Sequence, residues 1–132
     1  MSKSESDKGT IYLLDDINIS RKKIMSAVTD SDCEIKYDPV NKPGVSNLLV
    51  IESSLSGVSI EELEKKYAVS NYGEFKKCVA DVVCNFLEEL QAKVREIQSS
   101  GIIDKILEDG AMKASYVARK KLSKVYRKMG IN

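Results

Sequence analysis

The strongest constraint in the sequence is one run of periodicity. Phe75, Val79, Val82, Val83, Phe86, Leu87, Leu90, Val94 and Ile97 recur at three- and four-residue spacing, which lines apolar side chains along one face of an α-helix. No Gly or Pro interrupts the run between Phe75 and Ile97. A helix of about six turns must bury that stripe, so the rest of the chain has to supply its partners. Glu88 and Glu89 fall off the stripe and read as solvent-facing.

The flanking segments read as those partners. Asp15 and Asp16 are candidate N-caps for a helix running to about Val28, with Ile17, Ile24 and Val28 at helical spacing. Thr29 to Lys42 is a long connection punctuated by Asp30-Ser31-Asp32 and Asp38-Pro39. Pro43 suits the first turn of a second helix. Val45, Leu48, Leu49, Ile51 and Leu55 form its buried stripe, and Gly57 is its stop. Ser59 and Glu62 make a capping box for a short helix ending near Tyr67, and Asn71 with Glu74 repeats that logic for the long helix. Ser99-Ser100-Gly101 stops the long helix. A short helix over Ile102 to Glu108 and a final one from Ala111 follow, the latter with Ala114, Ala118, Leu122, Val125 and Met129 facing the core. With no internal repeat and few strand signals, the fold is expected to be mostly α: a bundle of five or six unequal helices. Residues 1–14 form a polar loop and connector, and residues 15–132 the helical domain.

Composition removes several classes. At 132 residues the chain is long enough for one domain with its own core. Its longest aliphatic run, Leu48-Leu49-Val50-Ile51, is far short of a membrane span, and no basic stretch followed by an apolar segment opens it. Three cysteines, Cys33, Cys78 and Cys84, with no close pair argue against a disulfide framework and for a reducing compartment, read as the cytoplasm. The chain has no His, which excludes His-based general-base and metal chemistry. Cys78 and Cys84 point about 240° apart on one helix and cannot share a metal. Asp15-Asp16 and Asp30-Asp32 are explained by capping and turns. No metal site is expected.

Charge is unevenly placed. From Ala111 to Asn132 there are seven basic residues and no acidic one. With a whole-chain net charge of +1, the first 110 residues are left with −6. At about 100° per residue, Lys113, Lys120, Lys124 and Arg127 share the face opposite the apolar one. Such a face fits a polyanion, and it also fits a solvated helix end, where cations suit the dipole. At the other terminus, Ser2-Lys3-Ser4 lies in a polar stretch that reads as a flexible end. Its chemical alternative is phosphate binding, with an ammonium flanked by hydroxyl and N–H donors. There is no Gly-rich phosphate loop and no CxxC. By themselves, these residues make no self-contained active site.

Several segments together resemble one family. Met1-Ser2-Lys3-Ser4 resembles the end of the KMSKS signature of class I aminoacyl-tRNA synthetases. Tyr12 to Asp16, Ala27 to Ser31, Pro43 to Leu49 and Tyr72 to Lys76 follow in order. The run is similar to the carboxy-terminal part of bacterial tryptophanyl-tRNA synthetases. The resemblance implies a fragment that begins inside the signature. The Rossmann-like catalytic domain, which binds ATP and tryptophan and forms the homodimer, is absent from it. It also implies ATP with Mg as the parent enzyme's requirement, and no cofactor on the fragment, which alone would be inactive. By motif matching, Lys3 neutralises phosphate charge during adenylation, and Ser2 and Ser4 help hold the phosphate. The helical part then takes the tRNA anticodon region, with Lys113, Lys120, Lys124 and Arg127 on phosphates and Tyr116 placed to stack. The fragment is expected as a monomer or in an artificial association. The alternative is a self-standing helical module that binds RNA or protein without a catalytic role.

Overall fold

The computed structural model describes residues 9–32 and 34–131. Within them the chain forms five helices: α1 (Ile17–Met25), α2 (Pro43–Ser56), α3 (Ile60–Tyr67), α4 (Tyr72–Ser99) and α5 (Ile102–Met129). No strand occurs among the described residues, so the fold is the expected helical one. The chain divides into two compact units, Met1–Gln91 and Ala92–Asn132.

The core of the first unit is built from Ile24, Ile35, Val45, Leu48, Leu49, Leu63, Tyr67, Phe75, Val79, Ala80, Val83 and Leu87. The buried positions of α4 match the expected stripe at Phe75, Val79, Val83 and Leu87, with Ala80 and Cys84 buried beside them and Val82 only half-buried. Beyond Leu87 the stripe loses its cover: Val94 is half-buried and Ile97 is exposed. Phe86 is also 41% exposed, at the edge of the stripe rather than in it. The rings of Tyr67 and Phe75 meet edge to face at 5.0 Å, joining the end of α3 to the start of α4.

The caps form as the residues dictate. Asp16 accepts from the Asn18 N–H at 2.8 Å. Ser59 and Glu62 complete a capping box. Asn71 accepts from the Glu74 N–H at 2.9 Å while Glu74 reaches back to the Asn71 N–H at 3.4 Å. Gly57 ends α2 in the left-handed conformation at φ 73°, which a residue without Cβ adopts freely.

Two helix boundaries differ from the sequence expectation. α1 stops at Met25 rather than near Val28, because the backbone beyond it is used elsewhere. The Lys76 ammonium donates to the Ala27 carbonyl at 2.8 Å, and Gly44 packs directly against the Val28 carbonyl. The expected break between Glu108 and Ala111 does not occur. α5 runs through Asp109-Gly110 without interruption, since a Gly inside a helix costs only about 1 kcal/mol. The expected core-facing row of Ala114, Ala118, Leu122, Val125 and Met129 is not buried: α5 has no buried residue at all. Its amphipathic pattern has no cover within the second unit.

Candidate functional site

Ser2, Lys3 and Ser4 lie outside the described residues. What is described is the connector that follows them. The Lys23 ammonium on α1 donates to the Thr10 carbonyl at 2.7 Å and to Asp15 Oδ2 at 3.3 Å, and it lies 5.0 Å from the centre of the Tyr12 ring. From α4, the Gln91 side-chain amide donates to the Leu13 carbonyl at 3.1 Å and the Asp15 carbonyl at 2.9 Å. The Asp15 N–H closes a turn onto the Tyr12 carbonyl at 3.2 Å. Gly9, Ile11 and Lys23 border an open cavity of about 630 Å³ whose floor includes Ile24, Leu48 and Ile51.

A second polar cluster gathers the remaining motif segments. Asp30 Oδ1 accepts from the Tyr72 hydroxyl at 2.6 Å, the Lys42 ammonium at 3.1 Å and the Asp32 N–H at 2.9 Å. Lys42, only 7% exposed, also reaches Asp32 Oδ2 at 3.3 Å, and Tyr72 reaches the Glu34 carbonyl at 3.0 Å. The Tyr72 hydrogen bond, helped by Lys42 and the Asp32 N–H, outweighs desolvation and holds the Asp30 carboxyl at about 2. Burial first, then Asp30, pushes the Tyr72 phenol up to about 12. Burial pulls hardest on the Lys42 ammonium and would lower it, but its hydrogen bonds to Asp30 and Asp32 together hold it above its ordinary value. This chemistry fixes a loop to the starts of α2 and α4. The Asp32 N–H on Asp30 Oδ1 is the turn contact read from the sequence, while Asp30 Oδ2 is buried without a hydrogen-bond partner.

The third element is the cationic face of α5. Because the helix is continuous, Lys105 joins Lys113, Lys120, Lys124 and Arg127 within about a third of the helix circumference. Among the described residues, none of these five makes an ion pair with an acidic side chain. The Lys120 ammonium lies 5.9 Å from the centre of the Tyr116 ring, so Tyr116 belongs to the same face. All are exposed. A row of unpaired cations beside an exposed ring can take phosphate charge and an unstacked base together.

Among the described residues, no group of three or more His, Cys, Asp and Glu side chains could hold a metal ion. No helix among the described residues is long and apolar enough to cross a membrane. Cys84 is buried against α1, its thiol 3.8 Å from the Ile17 carbonyl, and burial pushes its pKa up. The sequence reading missed Lys23 and Gln91. Gln91 carried a signal: it sits four residues after Leu87 and three before Val94, a polar group in register with an apolar stripe.

Comparison with known proteins places this architecture. Residues 1–88 match the family model described as tRNA synthetases class I (W and Y). The chain belongs to that family of class I synthetases. Within it, the likeness is to the tryptophan enzymes. The chain is 48% identical over 132 residues to the tryptophan–tRNA ligase of Bacillus subtilis (strain 168), covering 99% of this chain and 40% of that protein. It is 46% identical to the tryptophan–tRNA ligase of Malacoplasma penetrans, covering 99% and 39%. The crystal structure of tryptophanyl-tRNA synthetase from Mycoplasma pneumoniae matches with a TM-score of 0.72 at 29% identity, over 100% of this chain and 42% of that one. The chain thus spans about 40% of the length of the curated relatives it matches.

Proposed function

We propose that the chain is the carboxy-terminal part of an ATP-dependent tryptophan–tRNA ligase, carrying the tRNA-facing helical region and the end of the phosphate-contacting loop. The observation that supports this best is the match to tryptophan–tRNA ligases over 99% of the chain at close to half identity. In this reading the tryptophan carboxylate attacks the α-phosphorus of ATP and pyrophosphate leaves. A hydroxyl of the terminal ribose of the tRNA then attacks the acyl carbon of the adenylate, and AMP leaves. Lys3, with Ser2 and Ser4, holds negative charge on the phosphates as the pyrophosphate departs, a stabilisation that works when the donors are positioned beforehand. In this reading the part that binds tryptophan and ATP and forms the homodimer belongs to the rest of the parent ligase.

Lys113, Lys120, Lys124 and Arg127 take phosphates of the tRNA, and Tyr116 offers a ring to an unstacked base. The test is a titration of the chain with tryptophan tRNA transcript and with an anticodon-altered control, at two salt concentrations. Binding that depends on the anticodon and weakens with salt is expected. Binding blind to the anticodon, or none, would refute tRNA reading by this part alone. A salt-dependent affinity for any RNA would instead favour a general binding module.

A further inference from the structure

None of the 28 residues of α5 is buried, yet in proteins most helical stability comes from packing of an amphipathic face. That face is present. Leu107, Ala111, Ala114 and Ala118 are followed, eleven positions on, by Ala118, Leu122, Val125 and Met129. The spacing keeps all of them within roughly a quarter of the helix circumference. An eleven-residue repeat lies close to the natural turn of a helix, so the strip runs nearly straight for about 33 Å. Its large members, Leu107, Leu122, Val125 and Met129, are 41% to 64% exposed.

The strip is also symmetric about Ala118. Laid against a reversed copy of itself, Leu107 meets Met129, Ala111 meets Val125, Ala114 meets Leu122, and Ala118 meets Ala118. Every small residue off the centre then faces a large one, the arrangement that fills the space between helices. A parallel copy would set alanine on alanine in three successive layers and leave them underpacked. Charge selects the same direction. The first turns of α5 carry Asp104, Glu108 and Asp109 against one lysine, and the last turns carry Lys121, Lys124, Arg127 and Lys128. Reversal brings the acidic end of each helix to the basic end of the other. Beside the strip, Glu108 then falls within a turn of Tyr126 in the other copy, and Arg119 within a turn of Ser115. In a parallel pair the basic ends meet and Arg119 falls beside Lys121, which costs affinity.

We propose that α5 is a dimer interface: two copies of this chain pair antiparallel through the strip, with the twofold axis at Ala118. The dimer does not depend on the ligase reading. Such a strip removes on the order of 1,000 Å² from water in total, the lower edge of a specific interface. The pair is therefore weak, with a Kd of roughly 10 to 100 µM. Lys113, Lys120, Lys124 and Arg127 lie on the opposite side of the helix and stay in solvent in both copies.

Sedimentation equilibrium of the chain tests this, over concentrations from well below that Kd to well above it. The mean mass should rise from one chain toward two. Ala118→Glu puts two carboxylates at the axis and should keep the chain monomeric. Because Ala118 is exposed, melting of the first unit should not move. Leu107→Glu and Met129→Lys should each weaken the pair by roughly tenfold, and together should restore it, since reversal sets these positions opposite each other. A dimer untouched by Ala118→Glu overturns the proposal, and so does a combined variant weaker than either single one. The chain could instead stay monomeric throughout, with Ala118→Glu lowering the melting temperature of a full-length ligase that contains it. The strip is then covered by the rest of that ligase, and the proposal falls. A chain that stays monomeric without that effect also overturns it.

Discussion

The hydroxyl of Tyr72, first residue of α4, donates to Asp30 across forty-two positions of sequence at 2.6 Å. That bond closes the first unit: it ties the loop after α1 to the start of the longest core helix. It also explains why the segments around Asp30, Lys42 and Tyr72, which carry the family resemblance, lie apart in sequence and together in space. Tyr72→Phe keeps the ring and removes the donor. The expected cost is about 2 kcal/mol, the value of a hydrogen bond to a charged acceptor, read as a lower urea midpoint.

Acid should dissolve the same cluster. The Asp30 carboxyl is held at about 2 against an ordinary value of 3.8. A depressed folded pKa contributes stability that is present above the unfolded value and is lost as pH falls through the folded one. Stability should therefore hold above roughly pH 4 and decline toward pH 2. In Asp30→Asn the protein should be weaker at neutral pH and its acid slope shallower, measured as urea midpoint against pH.

Gly44 and Gly110 should respond in opposite ways to the same change. A Cβ on Gly44 would sit 2.0 Å from the Val28 carbonyl oxygen, backbone against backbone. Gly44→Ala should cost about 1 to 3 kcal/mol by overpacking. A Cβ on Gly110 meets nothing within 4 Å, and the position lies inside α5. Gly110→Ala should raise helix stability by roughly 0.5 to 1 kcal/mol. Thermal unfolding followed by circular dichroism separates the two.

Glu52 should be sensitive to loss of either donor. It is 1% exposed and accepts from the Tyr67 hydroxyl at 2.7 Å and the Lys66 ammonium at 3.0 Å, both on Oε1. Its Oε2 is buried without a partner. Burial, then the neighbouring Glu52, raises the Tyr67 phenol well above its ordinary value, so it stays a donor at any ordinary pH. Tyr67→Phe leaves a buried carboxylate short of a donor, at an expected cost of about 2 to 3 kcal/mol by chemical denaturation.

On α5, replacing Lys113, Lys120, Lys124 and Arg127 together by Ala should leave melting of the first unit unchanged, since all four are exposed. If they take tRNA phosphates, the slope of log affinity against log salt should flatten by about three, close to one counterion per contact. Tyr116→Ala should cost roughly 1 to 3 kcal/mol in affinity if the ring stacks on a base.

The sequence announces local chemistry well and long-range chemistry poorly. Asp16, Ser59, Asn71 and Gly57 cap their helices as read, because a cap depends on neighbours within a turn. The stripe of α4 is legible at Phe75, Val79, Val83 and Leu87, while Phe86 falls to its exposed edge. Lys42 and Glu52 were not legible as buried groups, because each is tolerated only through partners brought from other helices. The cationic face of α5 was legible from angular spacing. The anchoring by Lys23 and Gln91 was not, since it pairs side chains with carbonyls that no residue letter records.

The absence of any buried residue on α5 has a consequence for time rather than shape. Backbone amides exchange with solvent at the pace of the openings that release them. Those of Phe75 to Leu87 wait for the whole first unit to open. Those of α5 wait only for a helix to fray, an event on the microsecond scale for a peptide of about that length. One chain therefore keeps two clocks, and deuterium uptake would read the slow one in the first half of α4 and the fast one from Ile102 onward.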